Sequence, residues 1–499
     1  MEHQCLGSLR TNMQGRRVSK AGLGPSTTAT VIPGYPGWGS ILRNLVVAAA
    51  FAAAGFLGLP QNSFANSGTL DRTFGIKGKV LVALDFEGKR KYFYGHRVYA
   101  DLDPIGRIVV LSSGFHYSFV VRFLPNGKRD RAFANNGVLK IDPQVDGGQF
   151  EAKDLEVDEL GRVLVAGRGF VAGAASSAII MRFDWRGRPD PSFGKGTGVV
   201  GVVAADLGLT PPSGPVYSPT PVVASTVSVS SLSVDNLGRI LVAGDAGRSE
   251  GYCATVTVGF VARLTGAGQF DESFGAQGVS KPIDSRAGSS SVAIQAVDRN
   301  GGLLSVGGVT GCRGSGAQGP FLFRLNDGGS LDGTFGYGGY AYDKVFGQSG
   351  VTPTLEATQD RFGRIVALQS DSSVLRLSFS GILDRGFADQ GRFHLSYPSS
   401  TNWTDLDTAG DGSVVIAGTK KRGPGTAGGQ VALARISPRG RAYPRFGRHG
   451  VVTVGHKRTT NLTGRQVLLD GKGHVIVAGS VRDATLPTGE GLALFRFDL

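Results

Sequence analysis

Apolar positions in this chain come in short runs, and nearly every run is bounded by Gly, Asp, Asn or Ser. Between residues 138 and 183 the runs are Val138–Ile141, Leu155–Val157, Val163–Ala166 and Ala178–Phe183. None of them sustains a helical period, and turn formers separate all four, so the pattern predicts four consecutive antiparallel strands. The same arrangement then returns along the chain.

Three anchors recur in fixed order. The first is Asp-x-x-Phe-Gly/Ala-x-x-Gly, as at Asp71-Phe74-Gly78, Asp130-Phe133-Gly137, Asp271-Phe274-Gly278 and Asp384-Phe387-Gly391, with further copies around Phe193, Phe335 and Phe446. It reads as a compact turn with a buried aromatic plug. The second is Asp-x-x-Gly-Arg ahead of an apolar run, at Asp103–Arg107, Asp158–Arg162, Asp235–Arg239 and Asp360–Arg364, with variants at Asp298–Gly302, Gly412–Val414 and Asp470–His474. This is a hairpin signal, because Asp accepts backbone hydrogen bonds in the turn and Gly supplies the positive φ. The third is an arginine inside an apolar run, at Arg122, Arg182, Arg263, Arg324, Arg376, Arg435 and Arg496, read as the last strand of each unit.

The arginines recur about every 60 residues, with one long and one short unit. Four strands per unit and seven units predict an all-β fold, a seven-bladed β-propeller of four-stranded blades, with units beginning near 70, 130, 190, 271, 332, 384 and 443. The chain finishes on a strand, Arg496-Phe-Asp-Leu499, and the first unit opens on its turn, Gly68-Thr-Leu-Asp71, with no strand before it. The two fragments complete one period, so the C-terminal strand is expected to close the ring with Phe497 beside Leu70. An open β-solenoid is the alternative, and it would need distinct capping units. In five units an Asp follows the arginine by eight residues, from Arg122/Asp130 to Arg376/Asp384, and the pattern fails at Arg435/Tyr443. We read the pair as a structural stitch.

The combination Leu-Asp-x-Thr/Ser-Phe-Gly-x-x-Gly-x-Val, Asp-x-x-Gly-Arg-Ile-Val/Leu-Val-Ala-Gly and Ala/Phe-x-Arg-Phe/Leu resembles the bacterial delta-60 repeat family over essentially the whole chain after residue 65. The resemblance implies an exported, propeller-like protein from a functionally uncharacterised family. The sixth unit departs most, with Tyr443 in place of Asp and a Gly410-Asp411-Gly412 turn.

Composition agrees with many turns joining short strands: 499 residues carry 78 glycines and 22 prolines. Three cysteines are too few for a disulfide scaffold. The formal charge of +14 is dispersed, with no aromatic platform among the basic residues, which argues against nucleic acid and allows an anionic envelope polymer. Residues 45–59 are apolar and uncharged, short for a bilayer span and suited to a signal-peptide h-region, with Ser63-Phe64-Ala65 as a cleavage site. Residues 1–65 are therefore expected to be a leader and 66–499 an exported repeat domain, secreted or held in the envelope. An uncleaved anchor over residues 41–59 is the alternative, and the only route to a membrane.

In four-stranded blades the two recurrent turns share one face, and the variable connections share the other. The variable set holds the Pro-rich insertion 211–221 and the segments 244–255, 308–320, 418–430 and 479–491, with Lys420, Lys421 and Arg422 among its basic residues. Such loops on a rigid ring suit recognition, or simply tolerate insertion. Asp85, Asp142, Asp206, Asp284 and Asp343 recur near the end of each unit's first strand. If those strands line the axis, their carboxylates gather at one mouth and could hold a cation; otherwise each Asp bonds its own turn. Cys253 and Cys312 fall in equivalent loops of adjacent units and are disulfide candidates.

Catalytic signals are weak. Gly247-Arg-Ser-Glu-Gly251 lacks the helix that a nucleophile elbow needs, and the histidines show no metal-ligand spacing. No catalytic residue, metal or cofactor is assigned. The sequence points to a monomeric, non-catalytic binding module for a protein or envelope glycopolymer, the alternative being a propeller enzyme acting on a polysaccharide or small ester at the axial mouth.

Overall fold

A computed structural model describes residues 67–83, 97–113, 118–141, 149–170, 176–204, 206–208, 226–250, 253–283, 289–298, 300–310, 318–341, 354–422, 428–455, 461–483, 486 and 489–499. Chain contacts separate 1–63 from 64–499, and only the second unit falls among the described residues. The leader and its cleavage site lie outside them.

The described chain is all β, seven antiparallel sheets in a ring, with no helix among the described residues. Blade one is β2 (Arg97–Leu102), β3 (Ile108–Ser113), β4 (Ser118–Phe123) and β5 (Val138–Ile141), reading outward from the axis. Blade two is β6 (Gln149–Val157), β7 (Val163–Phe170), β8 (Ser177–Phe183) and β9 (Val199–Val202). Blade three is β10 (Thr226–Val234), β11 (Ile240–Glu250), β12 (Cys253–Leu264) and β13 (Val279–Ser280). Blade four is β14 (Ser289–Val297), β15 (Leu303–Thr310) and β16 (Gln318–Leu325), and Tyr340 bridges to Phe323 in the outer position. Blade five is β17 (Thr354–Gln359), β18 (Ile365–Gln369), β19 (Ser373–Leu377) and β20 (Arg392–His394). Blade six is β21 (Thr401–Thr408), β22 (Val414–Lys421), β23 (Gly429–Ile436) and β24 (Val451–Val454). Blade seven joins both ends of the domain: β25 (Asn461–Leu462), β26 (Gln466–Leu469), β27 (His474–Arg482) and β28 (Glu490–Asp498) are completed on the outside by β1 (Lys79–Ala83).

The closure follows the expectation. Phe497 bridges Leu70, and β1 runs antiparallel to β28 with Lys79 opposite Phe495. A strand from the first unit thus pairs with β28 and completes the last blade. The ring excludes the open solenoid.

Each blade is held to the next by one repeated device. The seven plugs Phe74, Phe133, Phe193, Phe274, Phe335, Phe387 and Phe446 are fully buried. Above six of them lies the strand arginine, with guanidinium-to-centroid distances such as 4.4 Å for Arg122 over Phe133 and 4.8 Å for Arg496 over Phe74. The expected ion pair forms in every unit that has the Asp: Nε to Oδ2 is 2.8 Å for Arg122–Asp130, Arg182–Asp190, Arg263–Asp271 and Arg376–Asp384, and 2.7 Å for Arg324–Asp332. Ring closure makes a sixth, Arg496–Asp71 at 2.7 Å. The same guanidinium reaches the following blade, as when Arg122 Nη1 donates to the Trp185 carbonyl and Arg376 Nη1 to that of Pro438. At the exception, Arg435 lies 4.1 Å from the Tyr443 centroid and takes Asp411 as its acid at 2.8 Å. Gly127 shows why the facing turn needs glycine: its φ is +80°, and a Cβ there would sit 2.9 Å from the Phe74 ring.

Two placements differ from the sequence reading. The arginine strand is third from the axis, and the short strand after the plug is outermost in its blade, as β5 pairs only with β4. The strand after that, β6 in blade two, lines the axis, where it touches the inner strands of both neighbouring blades.

Candidate functional site

The inner strands β2, β6, β10, β14, β17, β21 and β26 touch in sequence around the ring and enclose an axial cavity of about 940 Å³. Five of them carry a register shift beside the axis, between Ala152 and Asp154, Val229 and Ser231, Ile294 and Ala296, Thr354 and Glu356, and Trp403 and Asp405. A bulge inserts an unpaired residue and re-aims its neighbours. Here it presents polar side chains to the next blade.

Asp101 Oδ2 accepts from the Val157 N–H at 2.7 Å, Asp154 Oδ2 from Leu232 at 2.7 Å and Ser231 Oγ from Ile294 at 2.7 Å. Further round, Gln295 Oε1 accepts from Ala357 at 2.6 Å, Asp405 Oδ2 from Val467 at 2.7 Å, and Gln466 from Ala100. Six of the seven blade junctions are bridged this way.

Six carboxylates line this cavity: Asp101, Asp154, Glu156, Glu356, Asp405 and Asp407. Burial raises all of them. Asp154 and Asp405 rise to about 7, Asp101 and Asp407 to about 6, and the N–H bonds they accept oppose the rise. Glu156 and Glu356 move well above the ordinary carboxylate range through burial and then neighbouring acids: Asp101 and Asp154 act on Glu156, Asp405 and Asp154 on Glu356. Each of the six keeps part of its surface open to the cavity, so water there moderates the effect. Arg97 and Arg465 stand near the opposite ends of their strands from Asp101 and Asp407, making one mouth more basic.

None of these acids was singled out from sequence. The signal was present: Asp154, Glu356 and Gln466 each precede a hairpin Asp by four residues, and Asp101 and Glu156 precede one by two. The acids that were singled out sit elsewhere. Asp206 follows the outermost strand β9, and its Oδ2 accepts from the Val203 N–H at 2.8 Å, an Asp bonding its own turn. Asp85, Asp142, Asp284 and Asp343 lie outside the described residues, and the strands before Asp85, Asp142 and Asp284, namely β1, β5 and β13, are likewise outermost. The condition on which those carboxylates would gather at the axis, that their strands line it, is not met, and Asp206 follows the alternative.

Lys420 and Lys421 end β22 opposite Gln430 and Gly429, and the Arg422 N–H donates to the Gly428 carbonyl. They stand on the face of the variable connections, as expected from strand alternation. Cys253 begins β12, but its side chain and all of Cys312 lie outside the described residues.

Among the described residues one further group, Asp71, His474 and Asp498, brings ligand atoms within 4.8 Å of one another. Asp71 Oδ2 is already held by Arg496 Nε and Nη2, and His474 Nδ1 by Asp470 Oδ2 at 2.7 Å. A cation would share Asp71 with a guanidinium, and His474 stands where Arg107 and Arg162 stand in blades one and two. The group closes the ring.

A family model described as a domain of unknown function (DUF5122) beta-propeller matches residues 238–274, which run from the hairpin turn of blade three through its plug Phe274. No curated protein matches the sequence. Similar solved structures include the beta-propeller domain of Cps50 (Swd1) from Myceliophteria thermophila, 11% identical with TM-score 0.37 over 84% of this chain and 100% of that one. A protein of unknown function from Dyadobacter fermentans is 13% identical, with TM-score 0.38 over 85% and 98%. YCF48 bound to D1 peptide is 10% identical, with TM-score 0.40 over 86% and 99%. Neither a ligand nor an activity follows from likenesses this distant.

Proposed function

We propose that the protein is an exported, non-catalytic binding propeller of the delta-60 repeat type, taking a protein or an anionic envelope glycopolymer on the face of its variable connections. The observation that supports this is the division of the ring into two unlike faces. On one, the hairpin and plug turns keep one pattern and nearly one length from blade to blade, and their recurrent Asp, Gly and Phe positions join blades. On the other, the connections range from residues 370–372 between β18 and β19 to 203–225 between β9 and β10. A rigid ring presenting unequal loops is a common arrangement for recognition. Lys420 and Lys421 add positive charge to that face. The chain acts as a monomer in this reading, with no cofactor and no nucleic acid.

The test is capture from an envelope preparation by the full chain, beside a variant lacking residues 211–221 and a Lys420→Ser/Lys421→Ser variant. Capture that weakens in either variant supports the reading. Capture unchanged by both would overturn it.

The raised carboxylates of the axis favour a second reading, hydrolysis of a polysaccharide or small ester at the axial mouth, since a protonated acid near pH 7 can serve as general acid. Four of the six, however, are seen to accept a backbone N–H, Asp101, Asp154 and Asp405 from the neighbouring blade and Asp407 from the next residue. Hydrolysis lost in Asp154→Asn and Asp405→Asn would establish the enzyme.

A further inference from the structure

Blades two and six carry an arginine on each side of the glycine in the turn after their third strand, Arg186-Gly187-Arg188 and Arg439-Gly440-Arg441. In blade two each arginine has a partner. Arg188 pairs with Asp184 at 2.7 Å, and Arg186 stacks 4.5 Å from the Trp185 centroid. In blade six Ser437 stands where Asp184 stands and Pro438 where Trp185 stands, and Ser437 Oγ accepts only from the Arg441 backbone N–H. Among the described residues the exposed guanidinium groups of Arg439 and Arg441 have no partner.

The turn is fixed against blade five. Gly440 packs on Ala388, with a Cβ there 2.5 Å from the Ala388 Cβ, and the Ala388 N–H donates to the Arg439 carbonyl at 3.0 Å. With Arg392 and His394 of β20, the two arginines line a cleft of about 620 Å³. Arg392 occupies a place held by Val138, Val199, Val279 or Val451 in other blades, and its contact with Asp371 is 3.8 Å, too long for a hydrogen bond. Asp389 is the one acid in the lining.

We propose that this cleft binds a phosphate group, free or carried on a phosphorylated polymer. Three guanidinium groups offer paired N–H donors in a planar fork that matches a tetrahedral oxyanion, and they outnumber the nearby acids, Asp389 in the lining and Asp371 3.8 Å from Arg392. The cleft lies on the face opposite the variable connections, so this proposal and the one above stand or fall separately.

Calorimetric titration of the full chain at low salt with inorganic phosphate, a phosphodiester-linked glycan and neutral dextran tests it. We expect phosphate or the glycan to bind, dextran not to, and added salt to weaken binding. Arg439→Ser/Arg441→Ser should weaken it about tenfold or more. Ser437→Asp, which supplies Arg441 with the acid that Arg188 has, should weaken it in the same direction without removing an arginine, while Arg186→Ser should leave it unchanged. Binding of the glycan alone, lost in these variants, assigns the phosphate to the polymer. Binding of neither, or binding indifferent to Ser437→Asp and to the double variant, overturns the proposal.

Discussion

The rim and the axis perform the same task with different chemistry. At the rim, six blade junctions use one set of groups, an arginine that is buried in five and half-buried at Arg496, an Asp and a Phe ring. At the axis, six junctions use whatever accepts a hydrogen bond: Asp at three, Gln at two, Ser at one. A buried guanidinium must have its counter-charge, so the rim cannot drift. A backbone N–H is content with any oxygen in reach, so the axis can change residue type and accumulate acids whose charge the fold does not need.

Breaking the rim should therefore cost most. Asp190→Ala leaves Arg182, whose side chain is 1% exposed, without its acid, and about 3–5 kcal/mol of stability should be lost, read as a lower urea midpoint. The corresponding change in blade six, Asp411→Ala, should cost clearly less, because that carboxylate is 45% exposed and Tyr443 keeps its stack on Arg435.

This contrast also decides what the sequence could reveal. The rim was legible because its chemistry demands the same letters each time: Arg, Asp eight residues on, Phe three further. Blade number and closure followed from it, and so did the failure at Tyr443. The axis was not legible in the same way, since Asp154, Ser231 and Gln295 share a role without sharing a side chain. Which strand faces the axis was also missed. Apolar patterning marks strands, but the unit boundary set at the arginine hid that β5 belongs to the blade before it. Arg441 stood unremarked for a related reason: its lack of an acid shows only beside Arg188.

At the axis, Asp154→Ala removes the acceptor for the Leu232 N–H and should cost about 1–3 kcal/mol at acid pH. Asp154→Asn keeps an acceptor and removes the charge, so it should cost little and should stabilise the ring at alkaline pH. The sign follows from linkage. An acid raised to about 7 in the fold holds its proton there while the unfolded chain, near pKa 4, has released it. The folded state then binds more protons between about pH 4 and about pH 7, and its stability falls as pH rises through that window. Rim acids act oppositely: burial opposes but hydrogen bonds and arginine lower Asp71, Asp190 and Asp332, whose contribution is present at neutral pH and lost below about pH 4. Thermal unfolding from pH 3 to 9 should show a maximum between these limbs, and Asp154→Asn with Asp405→Asn should flatten the alkaline one alone. A flat profile above pH 5 would sink the assignment.

The smallest effect sharpens the contrast most. Arg188 and Asp184 are ion-paired at 2.7 Å, a distance like that of Arg182 and Asp190 a few residues away. The Arg188 side chain is 67% exposed, however, so water replaces its partner at little cost. Arg188→Ala should change stability by only about 0–1 kcal/mol, and added salt should erase even that. If it cost as much as Asp190→Ala, pairing itself and not burial would hold the rim, and the freedom assigned to Arg441 would lose its basis.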